Sequence, residues 1–181
     1  MLRIISGIHR SRKLEQPPLS ITRPTIDRVR EAIFNSIRSQ VPNALVLDLF
    51  AGSDAFALEA ISNGAMKAVC VENHPQALSA IKTNVANLKI NNLELVNTDV
   101  LSFLAKGGKE FDIIFLDPPY ERYELLNSAL QNIVDNKFLT TNGLVIVETN
   151  DQMQVQVPEG LLVRNTKKYG KVFVLYLAQN N

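Results

Sequence analysis

Five short apolar runs, at 44–49, 68–71, 93–96, 111–116 and 144–147, recur through the middle of the chain, and segments with helical spacing separate them. The runs are nearly continuous rather than alternating. A strand that is apolar on both faces needs cover on both, which predicts a mostly parallel sheet between two helical layers. The intervening patterns at 54–63, 75–88, 99–105 and 124–135 supply the helices. The last part of the chain breaks this rhythm. Residues 161–164 and 172–177 flank Lys167-Lys168-Tyr169-Gly170-Lys171, which predicts an antiparallel hairpin with a basic tip.

The segment before the first run has a different character. Ile4, Ile5 and Ile8 around Gly7 predict a small hairpin or extended arm over 2–14. Gln16-Pro17-Pro18 and Arg23-Pro24 then mark a stiff linker. Thr25 is placed to cap a helix over 26–39, with Asp27 in its first turn and Ile26, Val29, Ile33 and Ile37 at helical spacing. Arg30 falls on the apolar side, one turn from both Ile26 and Phe34. Either its stem covers the core, or its head points into a site beneath the helix. The expected division is an arm and linker over 1–24 and a main domain over 25–181.

Charge sharpens that division. The net charge of +1 splits into +5 over the first 30 residues and −4 over the remaining 151. Such asymmetry favours a polyanionic partner at the basic end. With 46% hydrophobic and 20% charged residues, the chain is no disordered tail. No apolar run approaches the ~18 residues of a bilayer span, and the N-terminus lacks the apolar core of a signal peptide. A single cysteine, Cys70, makes no internal disulfide and no cysteine-based zinc site. A cytoplasmic monomer without a membrane partner is expected.

Candidate chemistry gathers at the strand ends, where open α/β sheets bind ligands. The first strand runs into Asp48-Leu49-Phe50-Ala51-Gly52-Ser53, the second ends in Glu72, the third leads to Asp99, and the fourth runs into Asp117-Pro118-Pro119-Tyr120. Asp48, Ser53 and Asp99 could each simply cap a helix. Glu72, 24 residues after Asp48 at the second strand end, is placed to accept ribose hydroxyls. The dinucleotide glycine pattern and the Walker loop are both absent. A crevice bearing Asp48, Asp54, Glu72, Asp99 and Asp117 would repel phosphates and suit a cationic cofactor. In Asp117-Pro118-Pro119-Tyr120 two prolines fix the backbone and remove two N–H donors. A carboxylate, a stiffly held carbonyl and an aromatic ring then stand together, a set able to accept hydrogen bonds from an exocyclic amine and stack its ring.

These motifs resemble those of class I S-adenosylmethionine-dependent methyltransferases, with a Rossmann-like fold. Asp117-Pro118-Pro119-Tyr120 is similar to the signature of amino-group methylation. Arg3-Ile4-Ile5-Ser6-Gly7, Arg10-Ser11-Arg12-Lys13-Leu14 and the stretch from Thr22 to Asn35 resemble the RsmD family, bacterial enzymes that methylate guanine N2 of 16S ribosomal RNA. The resemblance covers essentially the whole chain. It implies a seven-stranded sheet with an antiparallel C-terminal hairpin. It implies cofactor contacts for Asp48, Phe50, Ala51, Gly52 and Ser53, the ribose for Glu72, and the adenine neighbourhood for Asp99. It implies that Asp117, Pro118, Pro119 and Tyr120 hold the target base. Methyl transfer cancels the sulfonium charge, so no metal is expected.

Arg3, Arg10, Arg12, Lys13, Arg23, Arg28 and Arg30 are the expected RNA contacts, with Lys167, Lys168 and Lys171 as a second group. His9 could join the arm, and His74 before Pro75 is expected to cap a turn. The sequence departs from the family in the cofactor loop, where Asp54 and Ala57 replace glycines. Two other readings therefore stay open. One is a non-catalytic RNA-binding or ribosome-assembly factor with an impaired cofactor pocket. The other is an amino-methyltransferase acting on adenine N6 of DNA or on a protein glutamine.

Overall fold

The computed structural model describes residues 1–19, 26–52, 55–119 and 121–180. Seven strands form one sheet: β1 (Leu45–Asp48), β2 (Lys67–Glu72), β3 (Leu93–Asn97), β4 (Phe111–Leu116), β5 (Leu139–Thr149), β6 (Leu161–Tyr169) and β7 (Val172–Gln179). Their order is β3-β2-β1-β4-β5-β7-β6. The first five are parallel, β7 is antiparallel to β5, and β6 is antiparallel to β7. This is the expected mixed sheet with its C-terminal hairpin.

Helices α1 (Asp27–Ser36), α2 (Ala55–Ser62), α3 (Pro75–Leu88), α4 (Val100–Lys106) and α5 (Tyr123–Asp135) cover both faces. One apolar layer joins α1 and α2 to the sheet through Ile33, Phe34, Phe56, Val46, Phe115 and Val174. The other joins α4 and α5 through Phe103, Leu104, Leu126, Leu130, Leu47 and Ile114. Adjacent strand residues thus go to opposite layers, which is why the runs show no alternation. β1 and β4 are neighbours, yet the chain leaves β1 toward β2 on one side and β4 toward β5 on the other. That reversal opens a crevice at their carboxyl ends.

The N-terminal segment is a narrow hairpin. Leu14 N donates to Leu2 O, Ile4 N to Arg12 O, and Ser11 N to Ile4 O. Leu2, Ile4 and Leu14 bury themselves against Ala55, Leu58 and Leu88. Gly7 makes its turn at φ +82°, in close contact with the end of α2, where Ile8 N donates to Ser62 O.

The first helix departs from expectation. It starts at Asp27, with Ile26 at the capping position and no side-chain cap; Thr25 lies outside the described residues. Ile26 is 59% exposed, so the buried face begins only at Val29. His74, expected to cap a turn, caps the helix α3, accepting from Gln76 N at 3.2 Å.

Candidate active site

A cavity of about 380 Å³ opens at the switch point between β1 and β4. Its walls include Asp48, Phe50, Ala51 and Gly52 from the loop after β1, Glu72 from β2, Asp99 before α4, and Asp117, Pro118 and Pro119 after β4. Four strand ends therefore converge as the sequence suggests. Ser53, Asp54 and Tyr120 lie outside the described residues.

Each acid sits differently. Asp48 is 1% exposed and accepts a hydrogen bond from Phe50 N at 3.2 Å. Burial pushes its carboxyl up to about 7; the Phe50 amide opposes this, and the neighbouring Glu72 charge adds to it. It caps no helix. Glu72 ties two loops together. Its Oε1 accepts from Gly52 N at 2.9 Å, and its Oε2 accepts from Asn73 N at 2.9 Å and His74 N at 3.0 Å. Gly52 takes φ +52°, a left-handed conformation that costs glycine little and turns its N–H toward that carboxylate. Asp99 lines the cavity and also caps α4, accepting from Ser102 N at 2.9 Å and Ser102 Oγ at 2.6 Å. Those bonds hold its carboxyl below the ordinary aspartate range.

Apolar side chains complete the pocket. Phe56 of α2 stacks on Phe115 of β4, with ring centroids 3.8 Å apart and planes 3° from parallel. Both rings line the cavity, together with Val71, Val100 and Leu125. Apolar walls with a few convergent polar groups form an ordinary small-molecule site, and this volume lies within the usual ~300–1,000 Å³ range. Among the described lining residues, four carboxyl side chains against one guanidinium, that of Arg122, suit a positively charged ligand of nucleoside size. The residues present thus fit S-adenosylmethionine. Ala57, which replaces a family glycine, is fully buried in the layer beneath α2 and is not among the lining residues.

Sequence reasoning missed Arg122 and the two phenylalanines. Arg122 N donates to Pro119 O at 3.3 Å, and its side chain borders both this cavity and a small cleft beside Glu148, Thr149 and Asn150. A cation two residues after an aromatic signature is visible in the sequence. Its position between two clefts depends on the turn.

The structure scatters the expected RNA contacts. Arg10, Arg12, Lys13 and Arg28 are exposed. Arg12 Nη2 donates to Asn87 O at 3.0 Å, near the end of α3, while Arg3 Nε lies 3.5 Å from Asp27 Oδ2. Arg23 lies outside the described residues. Arg30 is a correction. It is 1% exposed, its Nε is 3.2 Å from Glu59 Oε1, and its Nη2 reaches Asp27 Oδ1 at 3.1 Å and the Arg3 carbonyl. A guanidinium enclosed this way cannot reach a phosphate. It points neither to solvent nor into the crevice, but fastens the arm to α1 and α2.

A family model described as "Conserved hypothetical protein 95" matches residues 2–178. Escherichia coli (strain K12) ribosomal RNA small subunit methyltransferase D is 38% identical over 172 residues, covering 94% of this chain and 86% of that protein. The chain belongs to the RsmD family of methyltransferases. Bacillus subtilis (strain 168) putative rRNA methyltransferase YlbH is 33% identical over 175 residues, covering 93% of this chain and 94% of that one. The solved structure of putative methyltransferase yhhF from Escherichia coli superposes with a TM-score of 0.89 at 35% identity, covering 98% of this chain and 97% of that chain. The chain is thus a class I S-adenosylmethionine-dependent methyltransferase, and the crevice described above is its candidate active site.

Proposed function

We propose that the chain methylates the exocyclic N2 of a guanine in small-subunit ribosomal RNA, as a cytoplasmic monomer. The observation that carries this reading is the placement of Asp117-Pro118-Pro119 on the lip of an acid-lined, apolar-walled pocket. The names of its relatives support the rRNA substrate.

The guanine N2 lone pair is delocalised into the ring, so the amine is a poor nucleophile. Asp117 and the Pro118 carbonyl accept its two N–H bonds. With both directions fixed, the nitrogen pyramidalises and its lone pair turns into the crevice. When bound, S-adenosylmethionine supplies an electrophilic methyl on a sulfonium. Asp48, Phe50, Ala51 and Gly52 hold the methionine end, Glu72 holds the ribose, and Asp99 lies beside the adenine. Tyr120 stacks on the base, which must leave its helix or loop to enter. The nitrogen proton passes to an Asp117 carboxylate oxygen and on to water. Most of the rate gain comes from positioning and fixed charge.

Residues 1–24 form the arm and linker, whose Arg10, Arg12 and Lys13 contact RNA phosphates away from the target base. Such contacts add salt-dependent affinity without sequence preference. Neutralising those three residues should flatten the salt dependence of RNA binding; an unchanged slope would remove them from the interface.

The deciding experiment is methyl transfer to small ribosomal subunits lacking the modification, with the product nucleoside identified. N2-methylguanosine is expected. Asp117→Ala should abolish transfer while cofactor affinity, measured by calorimetry, stays near the parent value. Full activity in that variant would sink the role of Asp117. Absence of S-adenosylmethionine binding to the parent chain would favour the assembly-factor reading.

A further inference from the structure

Two basic groups, one on the N-terminal arm and one on the C-terminal hairpin, lie at opposite rims of the sheet, and the crevice opens at the hairpin's rim. Helices α2 and α3 both run from the carboxyl ends of the parallel strands back to their amino ends. The tip of the N-terminal arm rests on the far ends of these helices: His9 N donates to Ser62 Oγ, and Arg12 to Asn87 O. Arg10 and Arg12 are therefore on the side away from Asp117.

The C-terminal hairpin is on the near side. Leu116 pairs with Val147 at the end of β4, so Asp117 is level with Glu148. Glu148 pairs with Val174, and Val174 with Lys167. One step further on, Thr149 pairs with Phe173, and Phe173 with Lys168. The turn through Tyr169, Gly170 and Lys171 projects past that level. Lys167, Lys168 and Lys171 thus stand on the crevice rim, three strand spacings from β4, or roughly 14 Å.

The hairpin is also uniformly positive. From Leu161 to Asn180 there are four basic residues (Arg164, Lys167, Lys168 and Lys171) and no acidic one. All four are exposed. The Lys168 ammonium lies 5.3 Å from the centroid of the Phe173 ring, which holds it at the rim by a cation–π contact. Between the hairpin and Asp117 stands Arg122, on the cleft that Thr149 and Asn150 share with Pro118 and Pro119.

We propose that Lys167, Lys168 and Lys171 grip the phosphates of the RNA strand flanking the target nucleotide, so that this strand runs from the Asp117 pocket past Arg122 and across the ends of β5 and β7 to the β6–β7 tip. The inference rests on the RNA-substrate reading above. RNA is the partner because the hairpin is basic without an acidic residue and is joined to the pocket that receives the base by a cleft in which Arg122 stands among Asp117, Glu121 and Glu148. It assigns the two basic groups different tasks. The hairpin holds RNA next to the reacting base, and the arm holds RNA distant from it.

The test is steady-state methylation of undermodified small subunits by the full chain at several salt concentrations. Three proteins are compared: the parent, K167A/K168A/K171A, and K167R/K168R/K171R. The alanine variant should raise the RNA KM severalfold with little change in kcat, and its log–log salt slope should be shallower by about 2, at ~0.7 per single-strand phosphate contact. The arginine variant should restore both. Cofactor affinity by calorimetry should be the same in all three, which excludes misfolding.

An alanine variant that matches the parent in KM and slope overturns the inference. So does one that aggregates without a kinetic change, which would mean that the lysines only guard an edge strand. A raised KM with an unchanged salt slope also overturns it, and points to a ribosomal protein at this surface. If the parent transfers no methyl to these subunits, the substrate reading itself fails, and the hairpin's role falls with it.

Discussion

At the scale of single residues, Asp48 links the pocket to pH. Its carboxyl is raised to about 7 in the folded chain, from an ordinary 3.8. Between those values the folded state binds more protons than the unfolded one, so stability falls as pH rises from about 4 to 7. The full difference is about 4 kcal/mol by the usual conversion. A cationic ligand beside Asp48 favours the carboxylate. Binding at pH 6 should therefore release a proton, and cofactor affinity should climb with pH until Asp48 is ionised in the free protein, then level off. Calorimetry at pH 6 in two buffers of different ionisation enthalpy measures this directly. Asp48→Asn should abolish the buffer dependence and should be more stable than the parent at pH 8. Heats that do not depend on buffer in the parent would show that Asp48 does not titrate on binding.

At the scale of elements, the main question is what fastens the N-terminal hairpin. Glu59, in the middle of α2, is 1% exposed and accepts from Ile5 N at 2.7 Å, from Ser6 N at 2.9 Å and from Arg30 Nε at 3.2 Å. One carboxylate thus joins the arm, α1 and α2. Removing one partner of a buried ion pair typically costs 3–5 kcal/mol because the other charge is left uncompensated. Glu59→Ala should lose about that much in urea unfolding, and trypsin should cleave its arm at Arg10 and Arg12 far faster than in the parent. Gly7→Ala should loosen the arm by another route. A Cβ there would fall 2.0 Å from Ser62 O at a φ of +82°, so the turn must lift off α2. Parent-like proteolysis of both variants would show that the apolar contacts of Leu2, Ile4 and Leu14 suffice.

This clip also marks where sequence reading stops. The strands were legible because burial on both faces leaves continuous apolar runs, and α3 matched its expected bounds of 75–88 because Pro75 and the His74 cap punctuate it. Arg30 stood out as a charge in an apolar helical pattern, whereas Glu59 was not singled out. Their pairing, 29 positions apart, exists only after α1 and α2 pack. The four strand-end acids were legible because topology alone brings strand ends together. Arg122 and the stacked Phe56 and Phe115 were not, because turn geometry and layer packing place them.

At the scale of the whole molecule, the charge partition acquires a different meaning. The +5 of the first 30 residues is not all available to a partner: Arg30 is enclosed with Glu59, and Arg3 faces Asp27. The exposed positive charge on the crevice side comes instead from Arg122, in the pocket wall, and from the hairpin at the other end of the chain. The acids of the crevice, brought together from four strand ends, concentrate negative charge where a cation should bind. Ligand binding to this preformed crevice must therefore stabilise the entire fold, since none of the four ends is gathered in the unfolded chain. At a ligand concentration one hundred times its dissociation constant the gain is about 2.7 kcal/mol. For a domain of this size each kcal/mol moves Tm by about 2–4 °C, so saturating S-adenosylmethionine should raise Tm by roughly 5–11 °C. The shift should shrink in Glu72→Ala, which loses the carboxylate that joins the loops after β1 and β2, and persist in K167A/K168A/K171A. A parent Tm that does not respond to S-adenosylmethionine would mean that the cofactor loop, with Asp54 in place of a glycine, no longer accepts the ligand.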